Sequence, residues 1–183
     1  MIEKKDYYDS LNRRITTYDE VLDFQFRQDI YMFCMNSKFR IGWADSAITE
    51  NQYNKFLYSS FSEDDLQSLG YLNRLNNSPI AHELEGYRVD QCILNLTTPF
   101  DTYYQHCHSH DKAILLYVNL EWRDGYHGET LFFNEDMKSI FLATPYTPGR
   151  ITVFDPKIPH SIRPHSSRAP FFRFTLATFL YKE

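Results

Sequence analysis

Hydrophobic and polar positions change rhythm about halfway along the chain. Near the start, Val21, Leu22, Phe26, Ile30 and Phe33 recur at helical spacing, which predicts a helix over about Tyr18 to Met35 with Thr17 as its cap. A short strand is expected from Phe39 to Ala44. A second helix is expected from Ser62, with Glu63, Asp64 and Asp65 in the first turn, where the helix dipole favours acids, to near Asn77, before Pro79. From Tyr87 onward the texture is that of short strands: Tyr87 to Leu96, Thr102 to His108, Ala113 to Leu120, Thr130 to Asn134, Ile151 to Phe154 and Phe171 to Tyr181. Turn dipeptides separate them, among them Thr98-Pro99, Asp124-Gly125, Pro148-Gly149 and Asp155-Pro156. Helices followed by a run of strands predict a mainly β, α+β fold: a barrel or sandwich, a double-sheet jelly roll being one way to close it, buttressed by N-terminal helices. One domain over 1–183 is expected, with about 1–80 as helical support on the substrate side and about 87–183 as the jelly-roll core.

Composition agrees. Aromatic residues make up 17% of the 183 residues, an excess that suits strands. The formal charge of −5 argues against a nucleic-acid partner, which would call for a basic face. No apolar run approaches membrane-spanning length, and MIEKKDYYDS lacks the apolar core of an export signal. The 3 cysteines, Cys34, Cys92 and Cys107, read as reduced thiols of a cytoplasmic protein.

The candidate chemistry lies in the run HCHSHD. His106, His108 and His110 alternate, so on a strand their imidazoles share one face. His160, in a second strand-like segment, can join them. Imidazole suits iron, zinc, copper and nickel, and three protein ligands leave open positions, as a catalytic metal site requires. His82, His127 and His165 stand apart and are read as structural.

The segments YYQHCH, ILLYVNLEW, HGETLFF, PGRITVFDPKIPH and RFTLATF occur in that order between Leu96 and Leu180. Together they resemble the prolyl-hydroxylase-like branch of the iron(II) and 2-oxoglutarate-dependent dioxygenases. The resemblance implies a double-stranded β-helix, a cupin-like jelly roll. It implies iron(II) as metal, 2-oxoglutarate as cosubstrate and molecular oxygen as reactant. It also implies hydroxylation of a small-molecule or peptide substrate, such as a peptidyl proline, a free amino acid or a small natural product, with release of succinate and CO2. By position, His106 corresponds to the first metal ligand and His160 to the distal one. Arg173 corresponds to the basic residue that grips the far carboxylate of 2-oxoglutarate, and Tyr117 to a tyrosine that helps hold it. Gly128 and Glu129 correspond to a structural turn.

The chain departs from the family where an aspartate ligand is expected and His108 stands instead. Three readings stay open. His106, His108 and His160 form a three-histidine site, more positive by one unit and so more attractive to an anionic cosubstrate. Alternatively the register slides by two, and His108 and His110 bind. In the third, His108 does not bind and a position stays open, with Asp111 reaching in. Rival functions are a zinc hydrolase or lyase, a cupin-type three-histidine dioxygenase without 2-oxoglutarate, and a non-catalytic binding module on the same fold. Tyr53, Phe56, Tyr58 and Phe61, between Ser46 and Ser62, either shape the substrate entrance or simply pack.

Overall fold

The computed structural model describes residues 2–43, 56–101 and 103–183. Eight strands form one antiparallel sheet: β1 (Glu3–Tyr8), β2 (Arg14–Asp19), β3 (Arg40–Trp43), β4 (Phe56–Phe61), β5 (Tyr87–Thr97), β6 (Lys112–Tyr117), β9 (Ile151–Phe154) and β11 (Arg173–Lys182). Their order is β1-β2-β9-β6-β11-β5-β4-β3. The second sheet is β10 (His160–Ile162), β7 (Thr130–Phe133) and β8 (Ile140–Thr144). A bridge between His106 and His160 adds the His106 segment to its β10 edge. Two facing antiparallel sheets, between which the chain crosses from β6 to β7, β8 to β9, β9 to β10 and β10 to β11, make the expected jelly roll.

Alternation along each strand divides the side chains between two cores. On β11, Phe174, Leu176 and Leu180 join one core, while Ala177 and Phe179 join the other. The first core lies between the large sheet and three helices: α1 (Phe24–Met35), α2 (Glu63–Ser68) and α3 (Tyr71–Asn76). The second lies between the sheets, where Phe132 and Phe154 meet edge to face at 5.1 Å. Because both faces are covered, eight consecutive residues of β11, from Arg173 to Leu180, are buried. No described helix is long and apolar enough to cross a membrane.

The N-terminal elements differ from the sequence expectation. The helix expected from Tyr18 begins at Phe24, capped by Asp23, whose carboxylate accepts from Phe26 N–H. Thr17 is not a cap. It lies in β2, paired with Thr152 of β9, and the β-branched run Ile15-Thr16-Thr17 fits that edge of the sheet better than a first helical turn. The second expected helix starts at Ser62 as read, with a reciprocal Ser62–Asp65 capping box. Gly70 divides it into α2 and α3 by adopting the left-handed region at φ 77°. Phe56, Tyr58 and Phe61 belong to strand β4. Tyr53, Ala44 and Thr102 lie outside the described residues.

Candidate metal centre

The strand expected up to His108 does not form: His106 makes an isolated bridge to His160 of β10, and the two residues exchange two backbone hydrogen bonds, each 3.0 Å. His108 follows on the same face, its N–H donating to Pro156 O at 2.9 Å. The three rings are 4.6 to 5.3 Å apart between centroids. One nitrogen from each lies within 4.8 Å of the others, close enough for a single ion to reach all three. His106 Nδ1 contacts Tyr104 O at 2.9 Å, and His160 Nδ1 contacts Ile158 O at 2.8 Å. A carbonyl only accepts, so both Nδ1 atoms carry the proton and the lone pair of each ring lies on Nε2, the tautomer in which Nε2 can ligate a metal. Burial, reinforced by His106 and His110, pushes the His108 imidazole down to about 3. Burial also pushes His160 well below its ordinary value, with His106 and His108 adding to it. Both rings are therefore neutral at ordinary pH, the form that ligates.

The other ligands considered from sequence lie elsewhere. His110 Nε2 meets Asp90 Oδ2 at 3.0 Å, and its ring packs between Phe179 and Tyr181. Asp111 accepts from Lys157 Nζ and Lys182 N, both at 3.1 Å. His127 and His165 bridge each other across two loops, and His82 sits against Tyr18 and Glu83.

The histidines open onto a cavity of about 720 Å³, mouth included. Its floor is the inward face of the large sheet: Ile93, Asn95 and Thr97 from β5, Ala113 and Leu115 from β6, and Arg173, Thr175, Ala177 and Phe179 from β11. Arg173 is fully buried at 0% exposure. Its Nε donates to Gly128 O at 3.1 Å, and its guanidinium lies 4.6 Å from the centre of the Tyr146 ring. Nη1 and Nη2 are buried without a partner among the described residues. No carboxylate lines the cavity among the described residues. An unpaired buried guanidinium is costly, and its planar fork fits a carboxylate. The residues present therefore fit both a metal and an anionic ligand: three imidazole nitrogens converge, and a two-pronged cation is left unsatisfied beside them.

Tyr117 is placed differently from the simplest expectation. Its hydroxyl donates to Thr130 Oγ1 at 2.8 Å and lies 2.9 Å from Thr144 Oγ1. Thr130 is in the cavity wall, so Tyr117 supports the wall from behind, stacked on Tyr146 at 4.7 Å. Gly128 does more than turn the chain. A Cβ there would come within 3.1 Å of Arg173 Nε, and its φ is 85°.

Among the cavity residues that sequence reasoning missed are Thr175 and Tyr103. Thr175, two positions after Arg173 on the same face, has a buried hydroxyl with no partner, and the period-2 rule applied to Arg173 would have found it. Tyr103 also lines the cavity, stacked on Phe56 at 5.1 Å. Burial pushes its hydroxyl above the usual tyrosine range, against opposing contributions from Thr97 and Arg173. Nothing in the local pattern set Tyr103 apart from Tyr104.

No family model matches the chain, and no curated protein matches it. Solved structures do. A Pseudomonas putida prolyl-4-hydroxylase is 14% identical, with 92% of each chain covered and a TM-score of 0.59. A Trichoplax adhaerens prolyl hydroxylase, solved with a peptide fragment of the hypoxia inducible factor oxygen degradation domain, is 13% identical, covering 92% of this chain and 83% of that one with a TM-score of 0.63. A Burkholderia pseudomallei oxidoreductase of the 2OG-Fe(II) oxygenase family is 13% identical, covering 92% and 84% with a TM-score of 0.63. At such identities the likeness is one of fold, and the fold of this chain is the jelly roll of the prolyl-hydroxylase-like oxygenase structures.

Proposed function

We propose that this chain is a non-haem iron, 2-oxoglutarate-dependent oxygenase that hydroxylates a peptidyl-prolyl or small amino-acid-like substrate. The observation that carries the proposal is a single cavity lined both by three converging histidines and by a buried arginine with two unpartnered nitrogens. His106, His108 and His160 would hold the metal. Arg173 would bind the far carboxylate of 2-oxoglutarate, with the Thr175 hydroxyl as a further donor. Gly128 O and the Tyr146 ring aim the guanidinium, and Tyr117 steadies the wall through Thr130. When bound, iron(II) with 2-oxoglutarate and oxygen supplies the oxidation: one oxygen atom enters the substrate C–H bond and the other enters succinate as CO2 leaves. The apolar strands of the floor and the Phe56–Tyr103 pair exclude water and offer flat surfaces on which a prolyl or other compact ring can pack. The Trichoplax neighbour was solved with a peptide, which supports a peptide among the candidate substrates. Three free cysteines, two of them buried, fit a reducing compartment such as the cytoplasm.

Arg173 separates this reading from its rivals. A zinc hydrolase has no use for a buried carboxylate clamp, and a binding module without a metal leaves three converging imidazoles unexplained. Anaerobic titration with iron(II) and then 2-oxoglutarate is the test. A visible charge-transfer band should form in the wild type, weaken in Arg173→Ala and disappear in His160→Ala. Absence of the band from folded, iron-loaded protein defeats the cosubstrate assignment.

A further inference from the structure

We propose that Asp90 and His110 are positioning residues for His108, acting on it through the Phe179 ring. The inference rests on the metal site of the oxygenase reading and adds to it two residues outside the cavity lining. The three candidate ligands are not held alike. The His106 and His160 rings are each turned by a backbone carbonyl, Tyr104 O at 2.9 Å and Ile158 O at 2.8 Å. The His108 ring hydrogen-bonds no described residue. It rests on Phe179, with 4.5 Å between centroids. An aspartate in its place would be a short side chain offering either of two oxygens. An imidazole binds a metal only when its plane aims one nitrogen lone pair at the ion, so this ring has more to orient.

Phe179 is held by a ladder of rings. His110 lies against Phe179 at 4.9 Å, and Tyr181 lies against His110 at 4.7 Å. The Arg88 guanidinium closes the ladder over Tyr181 at 5.6 Å. Positions 108 and 110 alternate with 179 and 181, so the two pairs of rings interleave. His110 is buried, at 6% exposure, and its Nε2 meets Asp90 Oδ2 at 3.0 Å. A buried polar ring is costly without such a bond, so Asp90 keeps His110 at this depth. Asp90 reaches it through a slip in the β5–β11 register. Gln91 pairs with Phe179 and Val89 with Leu180, which leaves Asp90 as an extra residue on β5. A bulge of this kind re-aims a side chain, here toward the back of the metal site. The order of support is therefore Asp90, His110, Phe179, His108.

Two measurements test this order. In the unliganded protein, proton NMR should show contacts between the His108 and Phe179 rings. His110→Ala should remove them while the His106 and His160 rings keep their signals. Cobalt(II) titration, read by visible absorption, should show binding weakened roughly 10- to 100-fold in His110→Ala, the usual cost of losing an outer partner of a metal ligand. His110→Phe keeps a ring against Phe179 and should recover most of that loss. Asp90→Ala should reproduce part of it. If His110→Ala leaves either the ring contact or the cobalt affinity as in wild type, or moves all three histidine rings alike, the inference is overturned while the oxygenase reading survives. If the wild type binds no cobalt, the oxygenase reading itself has failed. Should His110→Ala not fold, Asp90→Ala decides on the same two measurements: no change in either overturns the inference.

Discussion

At the scale of single residues, Arg173 would tie stability to the proposed function. Its two terminal nitrogens are buried and unpartnered, while its Nε and its stacking face are satisfied by Gly128 O and Tyr146. The protein without ligand thus carries the cost of a desolvated, half-paired cation. Arg173→Met keeps the length and removes the charge. The unliganded variant should be more stable than wild type by about 1 to 3 kcal/mol in chemical denaturation. The same change should weaken 2-oxoglutarate binding about 100-fold, equivalent to about 3 kcal/mol, with metal binding retained. A variant less stable than wild type would mean that the guanidinium is already satisfied. Legibility at this scale followed periodicity. His106 and His108 could be read because i and i+2 share a strand face, and Arg173 could be placed by its segment. Tyr103 could not, because its role arises from stacking on Phe56, which comes from a distant strand.

At the scale of elements, Glu83 joins parts that sequence patterns treat separately. It sits in a 3-10 turn, Ala81–Glu83, only 1% exposed. It accepts from Arg14 of β2 at 2.7 Å, Tyr18 of β2 at 2.8 Å and Lys112 of β6 at 3.1 Å. Burial alone would raise this carboxyl, but Tyr18, Lys112 and Arg14 together hold it below its ordinary 4.5. A depressed carboxyl gives stability that is complete above its unfolded value and is lost as pH falls through the folded one. Glu83→Gln should therefore cost about 3 kcal/mol at neutral pH, since it leaves two cations facing a neutral amide. The difference from wild type should shrink as the medium is acidified below about pH 4.5, as followed by urea unfolding. A gap that stays constant on acidification would rule out the charge as its source. The N-terminal strands were illegible for a related reason. The run Arg14 to Tyr18 has no strong alternation because both of its faces are used, one by the core and one by partners such as Glu83 and Asp6. The helix signal of Phe26 and Ile30 then reads backward into it. Strand β8 is a short continuous apolar run, Ile140 to Ala143, with no period-2 alternation to mark it as a strand, and the fold leaves most of its positions exposed or half-buried.

At the scale of the molecule, the jelly roll was legible because its segments follow one another in a fixed order, each bounded by turn residues. The pairing order was not, since it depends on contacts such as Ile15 with Phe154 that no local pattern encodes. This architecture also places the ligands so that they act across the fold. His106 and His160 belong to the small sheet, through their bridge, while Arg173 belongs to β11 at the centre of the large one. A metal held by the histidines and a dicarboxylate reaching from it to Arg173 would join the two sheets across their shared core. Ligand that binds only the folded state stabilises it by about 2.7 kcal/mol at a concentration 100 times its dissociation constant. For a chain of this size, each kcal/mol raises Tm by about 2 to 4 °C. Metal with 2-oxoglutarate, each at that excess, should raise Tm by roughly 10 to 20 °C, and a chelator should reverse the shift. Arg173→Met should keep the part due to metal and lose the part due to 2-oxoglutarate. His160→Ala, which removes a ligand from the small sheet, should lose both, because the dicarboxylate then has no metal to bridge from. Differential scanning calorimetry of the three proteins distinguishes this pattern from simple anion binding at Arg173, which would survive the loss of His160.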